Sequence, residues 1–372
     1  MKEIKFSIPN ISKKDISLVG KIIKSGWLTH GKYTALFEEE LKKFTKAKFA
    51  ISVSSCTAGL HISCLASGFK KGDEVIVPAQ THTATAHAVE YTGATTVFAD
   101  VDYKTRNIDI KSISKCITKN TIAIIVVHFA GLPCDMNEII RFCKKKNIKV
   151  IEDSAETLGA KIGNKFTGTF GIGCFSFFPT KNITTTEGGM LTTNNKNTFN
   201  YVKKLIAHGI DKKFKKNFWN RVAVLPGHNF RMPNHLAAMG YLQLKKIEKL
   251  NNKRNQIARI YNTEISKITD KINIPIIPTG STHSYQMYTI TVSKKIRNKL
   301  LNYLKANNIE ASAHFDPPLH SQKYLKKYAK EKLPITDKLS KEIITLPIFP
   351  DMAKKEVIYT VKTIKKFLDR KL

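Results

Sequence analysis

From about residue 45 onward, short runs of β-branched and other apolar residues alternate with stretches whose apolar positions recur at helical spacing. The apolar runs predict strands at residues 48–54, 73–79, 95–101, 122–129, 148–154 and 173–178. Helical patterns lie between them, for example at residues 57–68 and 135–147. Strands that alternate with helices are typical of an α/β fold, in which helices cover both faces of a mainly parallel sheet.

The pattern changes after about residue 245. A lysine-rich helical stretch at residues 244–265 is followed by a proline-containing segment, a strand pattern at residues 284–293 and a closing helix pattern at residues 355–368. We therefore predict a large domain over residues 1–245, which includes the N-terminal segment, and a smaller α+β domain over residues 246–372. A chain of 372 residues is long enough for two domains.

No targeting or membrane-spanning segment is predicted. The first ten residues lack the apolar core of a signal peptide, and the longest apolar run, residues 122–132, is too short to cross a bilayer. The six cysteines show no Cys-x-x-Cys spacing, so we expect reduced thiols and no metal site. These features favour a cytoplasmic protein without a membrane partner.

The net charge of +33, from 62 Lys and Arg against 29 Asp and Glu, is typical of a protein that binds nucleic acid or a membrane surface. The lysines are, however, spread over the whole chain, often near the ends of predicted helices, and no aromatic and basic RNA-binding motif accompanies them. We therefore expect solvated helix faces and no nucleic-acid partner. A positive surface would still attract an anionic substrate over long range.

Ligands of parallel sheets bind beyond the carboxyl ends of the strands, so polar residues at those ends are candidates for function. The first predicted strand leads directly through Thr57 and Ala58 into a helix. Backbone N–H groups and the positive end of the helix would suit a phosphate there. The alternative, equally open from this stretch alone, is that Thr57 only caps the helix.

Three further strand ends carry candidate chemistry. His82 could lie against an aromatic ring, or be an ordinary loop histidine or a metal ligand. Asp153, with Glu156 three residues later, could hold the proton of a pyridine nitrogen, or Asp153 could cap a helix. Lys181 lies between an apolar strand and a polar turn, where burial would favour the neutral amine that Schiff-base chemistry needs. Taken alone, the residue favours the alternative of an exposed surface lysine.

The order of these features is far more specific than any one of them. The segments SSCTAGL (54–60), IEDSAETLGA (151–160), FSFFPTKNITTTEGGML (175–191) and GHNFRMPNHLAA (227–238) stand in this order, together with residues 25–41, 72–102, 126–136 and 346–350. In these stretches the chain resembles the DegT/DnrJ/EryC1/StrS family of sugar aminotransferases, in particular members similar to perosamine synthases. The resemblance covers nearly the whole chain and implies the fold-type-I architecture of enzymes that use pyridoxal 5′-phosphate (PLP).

The resemblance implies a role for each candidate residue. Lys181 holds the cofactor as a Schiff base and carries protons, and Asp153 pairs with the ring nitrogen. Glu156 stands near the cofactor 3-hydroxyl, where the family usually has glutamine, and His82 stands where the family places an aromatic ring. The phosphate is held by Ser176, by the backbone of Thr57 and Ala58, and by Asn229 from the other subunit of a homodimer. Cys56 replaces a glycine, and His208 and His314 lie in segments associated with the sugar-nucleotide cleft.

The activity implied is transfer of an amino group from glutamate to a keto sugar, with 2-oxoglutarate as the other product and pyridoxamine 5′-phosphate as the intermediate form of the cofactor. The expected substrate is a nucleotide-linked 4-keto-6-deoxyhexose of the GDP-perosamine type, used in surface glycans such as lipopolysaccharide O-antigen. Relatives that remove a sugar hydroxyl have histidine at the lysine position, so Lys181 favours transamination. The alternatives are amination of a 3-keto nucleotide sugar or of 3-deoxyoctulosonate, or a non-catalytic regulatory protein with the same fold.

Overall fold

The structure, a computed structural model, describes residues 3–214 and 216–370, with Lys212 by its backbone alone. The described residues form the α-helices α1 (Lys13–Lys24), α2 (Lys32–Thr45), α3 (Cys56–Ala66), α4 (Thr83–Glu90), α5 (Ile110–Cys116), α6 (Met136–Lys146), α7 (Lys196–Leu205), α8 (Asn234–Leu244), α9 (Ile247–Ser266), α10 (Arg297–Ala306), α11 (Pro334–Glu342) and α12 (Lys354–Asp369). The strands are β1 (Phe49–Val53), β2 (Glu74–Pro78), β3 (Thr95–Ala99), β4 (Thr121–Val127), β5 (Lys149–Asp153), β6 (Lys161–Ile162), β7 (Lys165–Phe166), β8 (Ile172–Ser176), β9 (Gly189–Thr193), β10 (Ser281–Thr282), β11 (Tyr288–Thr291) and β12 (Ile343–Leu346).

Seven strands form the central sheet in the order β1-β9-β8-β5-β4-β2-β3. Strands β3, β2, β4, β5 and β8 run parallel, whereas β9 is antiparallel to both β8 and β1. The six predicted strands are all present, and the prediction of a mainly parallel sheet is confirmed. Residues 177–188, which connect β8 to β9, contain no helix that would carry the chain back across the sheet, and the two strands pair antiparallel.

Both faces of the sheet are buried, as continuous apolar strands require. One face packs against α3 and α4, and the other packs against α5 and α6. The first of these cores also takes in Leu319, Leu325 and Leu333 from the C-terminal part of the chain. Because both faces are covered, we expect a ligand to bind beyond the carboxyl ends of the parallel strands.

A further apolar core lies outside the central sheet. It is formed by α9, α10, α12 and the antiparallel pair β11–β12, and the predicted domain boundary near residue 245 falls between α8 and α9. Ile4 belongs to this core, since its backbone pairs with Ile309 and its side chain is 1% exposed. The N-terminal residues are therefore attached to the C-terminal part of the fold.

Candidate active site

A cavity of about 720 Å³ opens at the carboxyl ends of β2, β4, β5 and β8. It is lined from the sheet side by Asp153, Glu156, Ser176 and Lys181. From the C-terminal part of the chain it is lined by Gln286, Met287, Ala311, Ser312, His314 and Phe315, and from the N-terminus by Phe6. The cavity therefore lies between the central sheet and the C-terminal part of the fold. Six of the eight predicted cofactor-binding residues border it, namely Thr57, His82, Asp153, Glu156, Ser176 and Lys181.

Asp153 ends strand β5 and is 5% exposed. Its carboxylate accepts hydrogen bonds from the Thr85 hydroxyl at 2.8 Å and from the Ala155 N–H at 3.2 Å. Burial raises the pKa of the Asp153 carboxyl above its usual range, and these two hydrogen bonds partly oppose the rise. No helix begins at this residue, so the alternative in which Asp153 is a helix cap is wrong.

Lys181 points into the same cavity, with a side chain that is 16% exposed. Its Nζ lies 3.3 Å from Oε1 of Glu156, whose Oε2 accepts the Ala130 N–H at 2.7 Å. The alternative of an exposed surface lysine is therefore wrong. The Glu156 carboxylate holds the amine of Lys181 beside the end of β5.

The backbone on either side of Lys181 is fixed by residues that sequence reasoning missed. Gln286 donates from Nε2 to the Thr180 carbonyl at 3.0 Å. Asn182 donates from Nδ2 to the Ser284 carbonyl at 3.0 Å and to Oδ1 of Asn251 at 2.7 Å. The turn that carries the lysine is thus attached to a segment more than one hundred residues away in sequence.

Helix α3 begins at the edge of the cavity. Its N-cap is Ser55, whose Oγ accepts the Ala58 N–H at 3.0 Å, so the alternative in which Thr57 caps the helix is wrong. The first N–H groups of a helix have no intrahelical acceptor, and with Ala58 bonded to Ser55 those of Cys56 and Thr57 remain for an anion. Ser55, Cys56, Thr57 and Ser176 all border the cavity, whereas the assignment of Ala58 to the phosphate stays a prediction.

Aromatic side chains form the outer wall of the cavity. His82 is the N-cap of α4, where its Nδ1 accepts the Ala84 N–H at 3.1 Å, so this nitrogen has the structural role of a loop histidine. Its ring also borders the cavity and meets Phe315 edge to face, with centroids 6.2 Å apart. His314 lies on the same wall, with its ring centroid 5.6 Å from that of Phe6. Among the described residues, no cluster of His, Cys, Asp and Glu could hold a metal ion.

Asn229 and His208 lie elsewhere on the protomer. Within the described ranges, neither is among the residues that line the cavity around Lys181. Asn229 is exposed, and its Oδ1 accepts a hydrogen bond from Arg231 at 3.1 Å. His208 lies 3.3 Å from the same guanidinium and borders a second cavity of about 840 Å³. The role of Asn229 therefore stays a prediction, which requires a second subunit.

The sequence profile of the DegT/DnrJ/EryC1/StrS aminotransferase family matches residues 9–365. The chain belongs to this family. It is 38% identical to the protein MJ1066 of Methanocaldococcus jannaschii over 97% of this chain and 96% of that protein. It is 36% identical to the GDP-perosamine synthase of Escherichia coli O157:H7 over the full length of both chains.

Solved structures of this aminotransferase family share the fold. The PLP form of Spr1654 from Streptococcus pneumoniae superimposes with a TM-score of 0.93 at 27% identity, covering all of both chains, and a form with pyridoxamine phosphate gives the same TM-score. PseC of Helicobacter pylori, an aminotransferase involved in the biosynthesis of pseudoaminic acid, gives a TM-score of 0.91 at 30% identity over 98% of this chain and 100% of that one. The protein is a PLP-dependent sugar aminotransferase of fold type I, which confirms the predicted class and cofactor.

The residues around the cavity suit this cofactor. The described hydrogen-bond donors to Asp153 are both neutral, so a protonated ring nitrogen would compensate its buried negative charge. The first turn of α3 supplies backbone donors for a phosphate. Gly189 lets β9 approach this turn, because a Cβ there would lie 2.6 Å from the backbone nitrogen of Cys56. Lys181 brings an amine to the same cavity.

Across residues 3–214 and 216–370, no helix is both long and apolar enough to span a membrane.

Proposed function

We propose that this protein transfers an amino group from glutamate to a nucleotide-linked 4-keto-6-deoxyhexose of the GDP-perosamine type, for use in a surface glycan. The observation that carries the proposal is the single cavity bordered by Lys181, Asp153 and the first turn of α3. The likeness to GDP-perosamine synthase, at 36% identity over both full chains, supports the choice of sugar. The net charge of +33 would favour approach of an anionic nucleotide sugar.

Bound PLP would supply an aldehyde carbon that accepts an amino group, and a ring that delocalises the electron pair left when a proton is removed from the carbon bearing that nitrogen. In this proposal Asp153 accepts the N–H of the ring nitrogen and keeps that proton in place. Its carboxylate is already oriented by Thr85 and Ala155, so binding the ring costs little reorganisation. The N–H groups of Cys56 and Thr57, with the Ser176 hydroxyl, bind the phosphate, and His82 lies beside the ring.

Lys181 has two tasks in the proposed reaction. Its amine holds the cofactor between turnovers, and once freed it removes a proton from the carbon of the amino donor and later delivers one to the sugar carbon. Glu156, 3.3 Å from Nζ, would keep the free amine within the cavity during this work. Because Gln286 and Asn182 fix the backbone on both sides of the lysine, the amine returns to one position after each proton transfer.

The proposal includes a cytoplasmic homodimer in which Asn229 of the partner subunit completes the phosphate site. The segment before Asn229 supports a subunit interface near this residue. On a single protomer it exposes three large apolar side chains to solvent, those of Phe214 (59%), Phe218 (83%) and Trp219 (64%). Sedimentation of the purified protein should give twice the mass of the chain. A monomer that retains full turnover would contradict the shared site.

The activity is tested with purified protein, PLP and glutamate. The absorbance of the bound aldehyde should disappear as 2-oxoglutarate forms, and addition of a GDP-linked 4-keto-6-deoxyhexose should restore it and give an amino sugar by mass spectrometry. If glutamate converts the bound cofactor but this sugar fails to restore it, turnover with a 3-keto nucleotide sugar or with 3-deoxyoctulosonate would identify that compound as the substrate. Absence of any reaction with glutamate would favour the regulatory alternative.

Replacing Lys181 with alanine should abolish turnover, because the proton carrier and the covalent anchor are lost together. A fall in kcat of at least about 10³-fold is expected, while the circular-dichroism spectrum stays unchanged. Lys323→Ala, at an exposed position away from the cavity, is the matched control and should keep wild-type kcat. Undiminished turnover by Lys181→Ala would refute the assignment.

A further inference from the structure

An aromatic wall borders the cavity on the side of the C-terminal part of the fold. Phe315 is half-buried and lines the cavity, so part of its ring remains for a ligand. The ring meets that of His82 edge to face, with centroids 6.2 Å apart, and that of His314 at 5.4 Å. His314 in turn lies 5.6 Å from Phe6, which is also half-buried and lines the cavity. Phe315 and Phe6 thus offer apolar surface beside the site.

Phe315 lies close to the reacting end of the cavity. On one side its ring contacts His82, which lies beside the cofactor ring in the proposed function. On another side it packs against an apolar cluster that includes Ala130. The Ala130 N–H binds Oε2 of Glu156, and Oε1 of Glu156 is 3.3 Å from Nζ of Lys181. Direct contacts therefore connect Phe315 to the surroundings of both the cofactor ring and the lysine amine.

The proposed substrate has one apolar group near its reacting carbon. In a 4-keto-6-deoxyhexose, the amino group is added at C4, and C5 alone lies between C4 and the methyl carbon C6. When C4 is within reach of Lys181, the methyl group is therefore near the lysine too, whereas the sugar and the diphosphate hold the nucleobase away. A methyl group makes no conventional hydrogen bond, so its contribution to binding comes from leaving water for apolar surface.

We propose that Phe315, with Phe6 as the neighbouring part of the same wall, binds the C6 methyl group of the sugar and selects 6-deoxy sugars over sugars with a 6-hydroxyl. This inference rests on the proposed function. A hydroxyl on C6 would leave water and lie against an aromatic ring, where it loses hydrogen bonds that the ring does not replace. Phe315 is thus a specificity residue for the sugar half of the reaction.

Calorimetry with two non-reacting sugars tests the contact. GDP-mannose and GDP-6-deoxymannose differ only at C6, and both have a hydroxyl at C4 in place of the keto group, so neither takes up an amino group. On the PLP-loaded wild type, GDP-mannose should bind about ten- to hundredfold more weakly than the 6-deoxy sugar, as expected for a hydroxyl in an apolar site. In Phe315→Ala water can reach C6, and this preference should fall below about threefold.

Further variants separate the methyl contact from general damage to the site. Phe315→Leu keeps an apolar surface and should keep most of the preference. Phe315→Gln offers hydrogen bonds to a 6-hydroxyl and should lose the preference, which preserves the test if the alanine variant folds poorly. Phe199→Ala is the matched control, because Phe199 is also half-buried and stacks on another ring, that of Phe49 at 4.6 Å, but is not among the described residues that line the cavity. It should leave the ratio of the two affinities at its wild-type value.

Two results would overturn the assignment without touching the proposed function. One is a wild type that binds GDP-mannose at least as tightly as GDP-6-deoxymannose, as expected if Ser312 or His314 pairs with the 6-hydroxyl. The other is a preference for the 6-deoxy sugar that Phe315→Ala and Phe315→Gln leave unchanged. Failure of the wild type to bind either GDP sugar is a different result, because it would contradict the proposed substrate and, with it, the methyl contact.

Discussion

We predict that His283 makes the stability of this enzyme sensitive to mild acid. The residue is 6% exposed and stacks on Tyr285, with ring centroids 3.9 Å apart and planes inclined by 6°. Its Nδ1 accepts the Tyr285 N–H at 2.9 Å, which requires that nitrogen to be unprotonated. Burial, with a smaller contribution from the positive charge of Arg106, lowers the pKa of His283 from 6.5 to about 3.

The sign of the effect follows from proton binding. Between the two pKa values the unfolded chain binds a proton at this histidine and the folded chain does not, so the free energy of unfolding falls as the pH falls below 6.5. Each pH unit below 6.5 is equivalent to about 1.36 kcal/mol. His283 alone should therefore lower the free energy of unfolding by about 2 kcal/mol between about pH 7.5 and about pH 5. The full loss of unfolding free energy from His283 would be reached only near pH 3, where the folded protein also binds the proton.

The perturbation is His283→Asn, since the Asn carbonyl oxygen can take over the Tyr285 N–H but cannot be protonated in this range. Loss of the ring stack lowers stability at every pH, whereas the pH-dependent part should shrink by about 2 kcal/mol. Urea unfolding at the two pH values measures this difference, and His87→Asn, at a partly exposed site on α4, is the control. If His283→Asn and the wild type lose the same free energy between the two pH values, His283 does not carry the effect.

Two further predictions concern the sheet that supports the site. Gly189→Ala should weaken PLP affinity at least about tenfold, because its Cβ would lie 2.6 Å from the Cys56 backbone nitrogen. Equilibrium dialysis measures the affinity. The control Gly20→Ala should bind PLP as the wild type does, because no atom lies within 4 Å of the added Cβ. Glu152→Gln should lower the free energy of unfolding by about 2–4 kcal/mol. The buried Glu152 carboxylate accepts three backbone N–H groups and a histidine N–H, whereas the amide nitrogen of glutamine cannot accept a hydrogen bond. Urea unfolding measures the loss of stability. The control Glu138→Gln, at an exposed position, should lower the free energy of unfolding by less than about 0.5 kcal/mol.

The strands of the central sheet could be predicted because each is a continuous apolar run buried on both faces. The same pattern locates Asp153 and Lys181, since each follows directly after such a run and the carboxyl ends of parallel strands meet at one edge. Local pattern was less informative at the start of α3. Ser54, Ser55 and Thr57 all have hydroxyls able to cap a helix, and only the observed bond from Ala58 identifies Ser55.

The residues that hold the Lys181 turn could not be predicted from sequence for a different reason. Gln286 and Asn251 come from the C-terminal part of the chain, and nothing in local spacing indicates which carbonyl or amide they will meet. One signal was present, because Gln286 stands between Tyr285 and Met287, directly before strand β11. A polar side chain at a position that the pattern predicts to be buried needs a hydrogen-bond partner. For Gln286 one partner is the Thr180 carbonyl, which accepts from Nε2.

The segment at residues 283–287 joins the stability of the fold to the chemistry of the site. Ser284 and Gln286 fix the backbone around Lys181, while His283 in the same segment stays in place only as long as it is neutral. Protonation of His283 would break its bond to the Tyr285 N–H, one residue from Gln286. Acid should therefore disturb the position of the lysine amine at a pH where the central sheet is still folded, and loss of bound PLP should precede global unfolding as the pH is lowered. Simultaneous loss of cofactor and of the sheet would show that the segment unfolds only with the whole protein.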